Sequence, residues 1–456
     1  MAASPPPRRQ HTRAKDLERY AALFSRRTRV MRSSAMRDMM EITARPEVIS
    51  LAGGLPDTST FPTEAFAAEM ERIEKTAVAE VLQYGPTEGS MLVREQIVEV
   101  MAAENTRVDA IDVTVTTGGQ QAIDLITKVL IDPGDVIICD APTYPGAIPT
   151  FCSYEADVRQ IEMDADGMRI GLLEETLEQL EAEGKRPKFI YSIPTFQNPG
   201  GVTLSLERRH RLVEIAQEKE ILVIEDNPYG LLRFDGEPLP TLYSLDGGNY
   251  VVYLGTFSKI LSAGLRIGWL VTPTPIREKV VLGKQAADLC TSTLTQDFAG
   301  HFFRDGAWRE YVDELTGIYR ARRDVMINAM AEYFPHGATW NKPAGGLFIW
   351  ATMPDVLSSE DLLAKALSKN VAFVPGPNAY VDGRGRSSMR LNFSGVKEDE
   401  IIEGIRRIGQ VAREMLGLYE TMTSTDEMKL PPRPPTDGGG SEMKLPPRPE
   451  EEGPHP

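Results

Sequence analysis

Cysteine is scarce. There are three, Cys139, Cys152 and Cys290, with no CxxC pair and no histidine at metal-ligand spacing. That excludes a disulfide framework and a zinc site, and it suits a reducing, cytoplasmic compartment. Long apolar runs are missing, so no segment reads as a membrane span. The opening "MAASPPPRRQHTRAK" carries charge and proline but no apolar core, and it does not read as a secretory signal. Positive charge is in deficit: 50 Lys and Arg stand against 66 Asp and Glu, a net −16. A field of that sign excludes general affinity for nucleic acid or an anionic membrane, while leaving room for a local basic pocket.

What is present is a globular balance, 41% hydrophobic and 25% charged, over 456 residues, enough for two or three domains. Leu17, Tyr20 and Phe24, then Met36, Met39 and Met40, fall at roughly helical spacing, which predicts a helical arm over 16–45. From about 110 to 275, strand, turn and helix signals alternate. "DVTVTTGG" reads as strand and turn, and "QQAIDLITKVLI" as a helix. "DVIICD", "FIYSIP", "ILVIEDN", "VVYLGTF" and "IGWLVTP" read as further strands. Their near-continuous apolar character predicts an α/β sheet covered by helices on both faces. Long helical patterns follow to about 334. "GGLFIWATMP", "VAFVPG" and "SMRLNFS" then predict strands interleaved with helices around 358–369 and 397–418, a second α/β unit. "EMKLPPRP" occurs twice, at 427–434 and 442–449. Such a Pro, Gly and charge composition cannot bury a core, so this end reads as a solvated tail in preference to a polyproline ligand.

The chemistry centres on "GTFSKILSAGLRIGW", residues 255–269, between two strand-like runs. Desolvation and positive neighbours lower a lysine's pKa and expose its lone pair, which suits Lys259 to a Schiff base. Thr256, Ser258 and Arg266 are short hydroxyl donors and a planar cationic fork, groups suited to a phosphate. Together they point to pyridoxal phosphate. The plain alternative is a surface-loop lysine with an arginine in an ion pair. The other contacts that the cofactor needs decide between them.

Those contacts are in the chain. Asp226 in "VIEDNPYG" follows a buried strand and can keep a pyridine nitrogen protonated, and Tyr229 can reach the ring's phenolic oxygen. Asn198 in "IPTFQNPGG" offers an amide donor to the same oxygen. Gly118 and Gly119 precede a helix opening at Gln120, whose amides suit a phosphate. Tyr144 in "DAPTYPG" can cover the ring. Arg390 in "SMRLNFS" can pair with a substrate carboxylate across a cleft. Each has a plain reading alone, such as an Asx turn, a packed loop tyrosine or an edge salt bridge. Their occurrence in order, each near a predicted strand end, does not.

With these residues, about 25–418 resembles the fold type I, class I/II PLP-dependent aminotransferases, most of all the 2-aminoadipate and kynurenine aminotransferase group. The matching text is "SLAGGLPDTSTFP", "LQYGPTEG", "TTGGQQAIDL", "PTYPGA", "QNPGG", "EDNPYG", "GTFSKILSAGLRIGW", "KPAGGLFIW", "VAFVPG" and "MRLNFS". The resemblance implies a large domain with a mostly parallel seven-stranded sheet between helices, a smaller α/β domain, and a homodimer with shared active sites. On that pattern the chain divides into a disordered tail (1–15), an arm with part of the small domain (16–75), a large PLP-binding domain (76–305), a small domain (306–420) and a disordered tail (421–456). Tyr84 matches a tyrosine that reaches the phosphate of the neighbouring subunit's cofactor. Arg37, in "SSAMRDMM", matches an arginine on a mobile helix over the substrate. Gly53 and Gly54 line the substrate side, which Asn198 and Tyr144 also face. Gly119 stands where relatives often have serine, leaving a backbone N–H, and Thr256 replaces a common serine.

The implied activity moves the amino group of an L-amino acid (2-aminoadipate, aromatic, branched-chain or similar) to a 2-oxo acid, 2-oxoglutarate, by a ping-pong mechanism. Lys259 serves as base and acid. A β-lyase or decarboxylase on the same scaffold is an alternative, because fold does not fix reaction. A MocR-like effector-binding regulator is another. It needs a DNA-binding domain, whereas about 30 residues precede the match and the chain is acidic.

Overall fold

The apolar runs of the middle of the chain assemble into one large sheet. The computed structural model describes residues 20–29, 31, 45–54, 56–304 and 306–424. The chain enters through a short strand, β1 (Ile49–Ser50). The large sheet takes β2 (Val113–Thr116), β3 (Val136–Ala141), β4 (Asp157–Asp164), β5 (Gly167–Met168), β6 (Pro187–Ser192), β7 (Leu222–Asp226), β8 (Val251–Thr256) and β9 (Gly268–Val271). Their order is β2-β9-β8-β7-β6-β3-β4-β5. The run from β4 through β3, β6 and β7 to β8 is parallel, and β9 lies antiparallel between β8 and β2. The expected seven strands are there. The eighth, β5, is a two-residue strand that turns back on β4.

Alternation along the strands sorts side chains between two cores, because successive strand residues face opposite sides. Ile137, Cys139, Phe189, Tyr191, Ile224, Val252 and Leu254 face one core. Val136, Ile138, Ile190, Val223 and Val251 face the other. Helices Ile170–Ala182 and Leu206–Lys219 cover the second core with Leu173, Leu177, Leu180, Leu212 and Ile215. The first is covered by Met91–Ala103, Gly119–Leu130, Thr293–Arg304 and Trp308–Tyr333, among others.

A second sheet runs β10 (Thr339–Trp340), β11 (Phe348–Thr352), β14 (Ser388–Asn392) and β13 (Val374–Pro375), all antiparallel. The predicted strand "VAFVPG" is split. Its first half, β12 (Val371–Ala372), pairs with β1, and its second half, β13, pairs with β14. Helices Ser359–Leu367 and Glu398–Ser424 fall where expected, the latter running a few residues further.

The expected helical arm needs correction in its described part. Residues Ala21–Leu23 and Arg26–Arg29 form two separate 3-10 turns, and Tyr20, Leu23 and Phe24 are exposed. A turn of three or four residues is too short to propagate as an α-helix. The tails 1–15 and 425–456, with the repeated "EMKLPPRP", lie outside the described residues, as do Met36, Arg37, Met39 and Met40. Among the described residues no helix is long and apolar enough to cross a membrane, and no group of His, Cys, Asp or Glu could hold a metal ion.

Candidate active site

Five strands end at one place. Gly119 and Gln120 follow β2, Tyr144 follows β3, and Ile193 and Asn198 follow β6. Asp226 closes β7 and Thr256 closes β8. All line one cavity of about 550 Å³ at the carboxyl ends of the parallel strands. Tyr229, Ser258, Lys259 and Arg266 join them from the following loops. Ser50, Gly53, Gly54 and Pro56 close it from the N-terminal side, and Phe348, Arg390 and Asn392 from the second sheet.

The lysine loop is fixed by its own backbone. Phe257 N donates to Ile267 O at 3.1 Å, and Thr256 Oγ1 donates to the same carbonyl at 2.9 Å and accepts from Ser258 Oγ at 2.9 Å. Lys259 is thereby presented to the cavity, where Nζ donates to Gly54 O at 2.5 Å. Burial lowers its pKa to about 8. Arg390 and Arg266 push the same way, and Asp226 opposes them. A neutral amine is thus accessible near physiological pH.

Asp226 is 5% exposed, and burial pushes its carboxyl up to about 7. A hydrogen bond from Tyr191 and the charge of Lys259 pull it back. Tyr191 Oη donates to Asp226 Oδ2 at 2.5 Å. Sequence reading missed this tyrosine. The available signal was a phenol inside a fully buried strand, whose O–H must find a partner.

Asn198 sits in a braced loop. Asp140 accepts from Ser192 Oγ and Ile193 N, each at 3.2 Å. The fully buried Arg209 donates to Pro194 O and Thr195 Oγ1, both at 2.8 Å. Gln197 spans to Pro142 O at 2.8 Å. Asn198 Nδ2 then donates to Tyr229 Oη at 3.2 Å, while Asn198 Oδ1 accepts from Arg390 Nη1 at 3.1 Å. Arg390 is buried at the back of the cavity, over the Phe348 ring at 4.3 Å. Its Nη2 donates to Ala52 O and Gly53 O, both at 2.8 Å. Gly54 packs where a Cβ would meet the Phe348 ring at 3.1 Å.

At the opposite end, Gly118 (φ 76°, ψ 169°) turns the chain from β2 into helix Gly119–Leu130. A Cβ on Gly118 would sit 2.3 Å from Arg266 Nη2, so only glycine lets the guanidinium lie against this turn. Gln120 lines the cavity with its amide tied to Gly146 O at 3.0 Å and Thr150 Oγ1 at 2.8 Å.

The cavity therefore brings together hydroxyls, a guanidinium and a helix start with a lysine of lowered pKa and a buried carboxyl group. The family model for aminotransferases of class I and II matches residues 46–408. The chain belongs to that family.

This aminotransferase is 42% identical over 400 residues to aromatic-amino-acid aminotransferase 1 of Thermococcus litoralis, covering 88% of the chain and 95% of the relative. It is also similar to the crystal structure of a Pyrococcus horikoshii kynurenine aminotransferase in complex with PMP, at a TM-score of 0.83 and 41% identity, over 88% of this chain and 98% of that one. LysN, an alpha-aminoadipate aminotransferase of Thermus thermophilus complexed with N-(5'-phosphopyridoxyl)-L-leucine, gives a TM-score of 0.81 and 34% identity, over 88% and 99%. The cofactor of this aminotransferase is pyridoxal 5'-phosphate, and the donor set suits it, since anion donors, a lysine and a carboxyl group line one cavity.

One described site residue, Tyr84, lies away from the cavity. Tyr84 is 77% exposed and lines a separate surface groove with Gly85, Thr87, Leu282, Gln285, Ala286 and Leu289. Arg37 lies outside the described residues.

Proposed function

We propose that the aminotransferase carries the amino group of an L-amino acid, of the aromatic, 2-aminoadipate or branched-chain kind, to 2-oxoglutarate in two alternating half-reactions. The observation behind this reading is the single cavity shared by Lys259, Asp226 and Arg390. Bound pyridoxal phosphate supplies the electron sink that stabilises negative charge at the substrate Cα.

The protein's residues do the rest. Thr256, Ser258, Arg266 and the amides at Gly119 and Gln120 bind the phosphate. Asp226 keeps the ring nitrogen protonated, and Asn198 and Tyr229 donate towards the phenolic oxygen. Tyr144 covers the ring. Lys259, with its pKa near 8, takes the proton from Cα in one half-reaction and returns it in the other. Arg390 exchanges its bonds to main-chain carbonyls for a bidentate pair with the substrate carboxylate, which orients the Cα–H bond. Gly53 and Gly54 leave room beside it for the substrate. Arg37 meets an acidic side chain or swings aside for an apolar one.

The same reading gives a homodimer in which Tyr84, exposed on its own subunit, reaches the partner's phosphate. It keeps a large domain over 76–305 and a small one made from 16–75 and 306–420. The compartment is the cytoplasm. The test is a donor panel with 2-oxoglutarate, following glutamate formation. A protein that holds pyridoxal phosphate but forms no glutamate from any donor, while releasing ammonia or carbon dioxide, would overturn it.

A further inference from the structure

Lys284 is fully buried, yet it lines no part of the cavity. A buried ammonium is costly unless paired. Its Nζ donates to both oxygens of Asp288, at 2.8 and 3.0 Å, and to Gln121 Oε1 at 3.3 Å. The pair in turn holds something else. Asp288 Oδ2 accepts from Thr117 Oγ1 at 2.9 Å and from Gln121 Nε2 at 2.7 Å. Gln121 Oε1 accepts from Thr117 N at 2.7 Å. Arg266 Nη2 reaches Thr117 O at 3.4 Å. Thr117 is thus fixed at its N–H, its hydroxyl and its carbonyl, immediately before the Gly118–Gly119 turn.

That turn needs such help. Gly118 has wide conformational freedom, and ordering it at the moment of binding would weaken affinity. An isolated carboxylate this close would also oppose an anion, and Lys284 offsets that charge.

We propose that Lys284 and Asp288 are positioning residues for the phosphate of the cofactor. Through Thr117 and Gln121 they hold the turn so that the first helix amides and the Arg266 guanidinium face one anion. This rests on reading the Gly118–Gly119 turn as the phosphate site.

The test compares two probes on full-length apoprotein by equilibrium dialysis: pyridoxal phosphate, and pyridoxal, which lacks the phosphate. The double variant Lys284→Met with Asp288→Leu removes both charges together, so no unpaired ion is left inside. Its affinity for pyridoxal phosphate should fall about tenfold or more, the effect of losing hydrogen bonds to a charged group. Its affinity for pyridoxal should stay within a factor of about two. Equal losses for both probes, or none, would overturn the proposal. If the double variant does not fold, Thr117→Val removes the hydroxyl contact alone and should show the same split, with Thr117→Ser restoring the wild-type ratio. A wild type that binds both probes equally would instead overturn the phosphate reading, and the proposal with it.

Discussion

Tyr191 and Asp226, on neighbouring strands β6 and β7, are joined by a 2.5 Å hydrogen bond from phenol to carboxylate in the core. Burial favours the neutral acid at Asp226, and this bond works against burial. On the proposed reading Asp226 meets the pyridine nitrogen in its ionised form, which the Tyr191 bond favours. Tyr191→Phe should therefore keep the cofactor but lose roughly 1.5–3 kcal/mol from the proton-transfer barrier, about ten- to a hundredfold in single-turnover rate. Asp226→Asn should be slower still. Wild-type rates in Tyr191→Phe would reject this role.

Lys259 should be the attachment point. Borohydride reduction followed by peptide mapping should place the pyridoxyl group on the peptide bearing residue 259. Lys259→Ala should give no reduced adduct and no turnover. A label on another lysine contradicts the assignment.

The lowered pKa of Lys259 makes a stability prediction for the apoprotein. Its folded value is about 8 against an ordinary 10.5. Between those values the unfolded chain holds a proton that the folded chain has released, so wild-type stability rises with pH through that window. Lys259→Met removes the titration. Below about pH 8 the variant should be the more stable, by up to about 3 kcal/mol, and the gap should close towards pH 10.5. Denaturant unfolding at pH 7 and pH 10 measures it, and a pH-independent difference would show that the buried charge is not the cause.

Gly268 gives a steric test. A Cβ there would lie 2.7 Å from Gly118 C and Gly119 N, both backbone atoms. Gly268→Ala should push the turn out of place, costing about 1–3 kcal/mol, and should weaken cofactor binding. Gly171→Ala is the control. It lies in helix Ile170–Ala182 with nothing within 4 Å of the added carbon, and should stabilise by up to about 1 kcal/mol. Thermal unfolding of the two variants distinguishes these effects.

Six strands of the large sheet were legible because they are buried on both faces and so read as largely apolar runs; β4, half-buried and rich in charged residues, was not. The cavity residues were legible because they cluster just past those runs, where Lys259, Asp226 and Asn198 stand out as polar groups. Tyr191 was not, since inside a strand its ring looks like any core aromatic. Lys284 and Asp288 were not, since their partners Gln121 and Thr117 are far off in sequence and only the packing of helix Thr274–Ala287 on helix Gly119–Leu130 brings them together. The two-residue strands β1, β5 and β10 carry too little pattern to register, and "VAFVPG" read as one strand where the structure has two, β12 and β13.

The pairing of β1 with β12, and the Arg390 bonds to Ala52 and Gly53, tie together positions more than three hundred residues apart. During synthesis, β2 to β9 leave the ribosome long before Val371 and Arg390 do, and can assemble as they appear. The segment carrying Gly53 and Gly54 emerges earlier still, yet has no strand to lie on until Val371 and Ala372 have been made. A prematurely terminated product that keeps Lys259 but stops short of Val371 would therefore present its lysine to water and leave Leu51 uncovered. Only a chain that extends past Arg390 closes the wall, so a shorter product lacks a complete cavity.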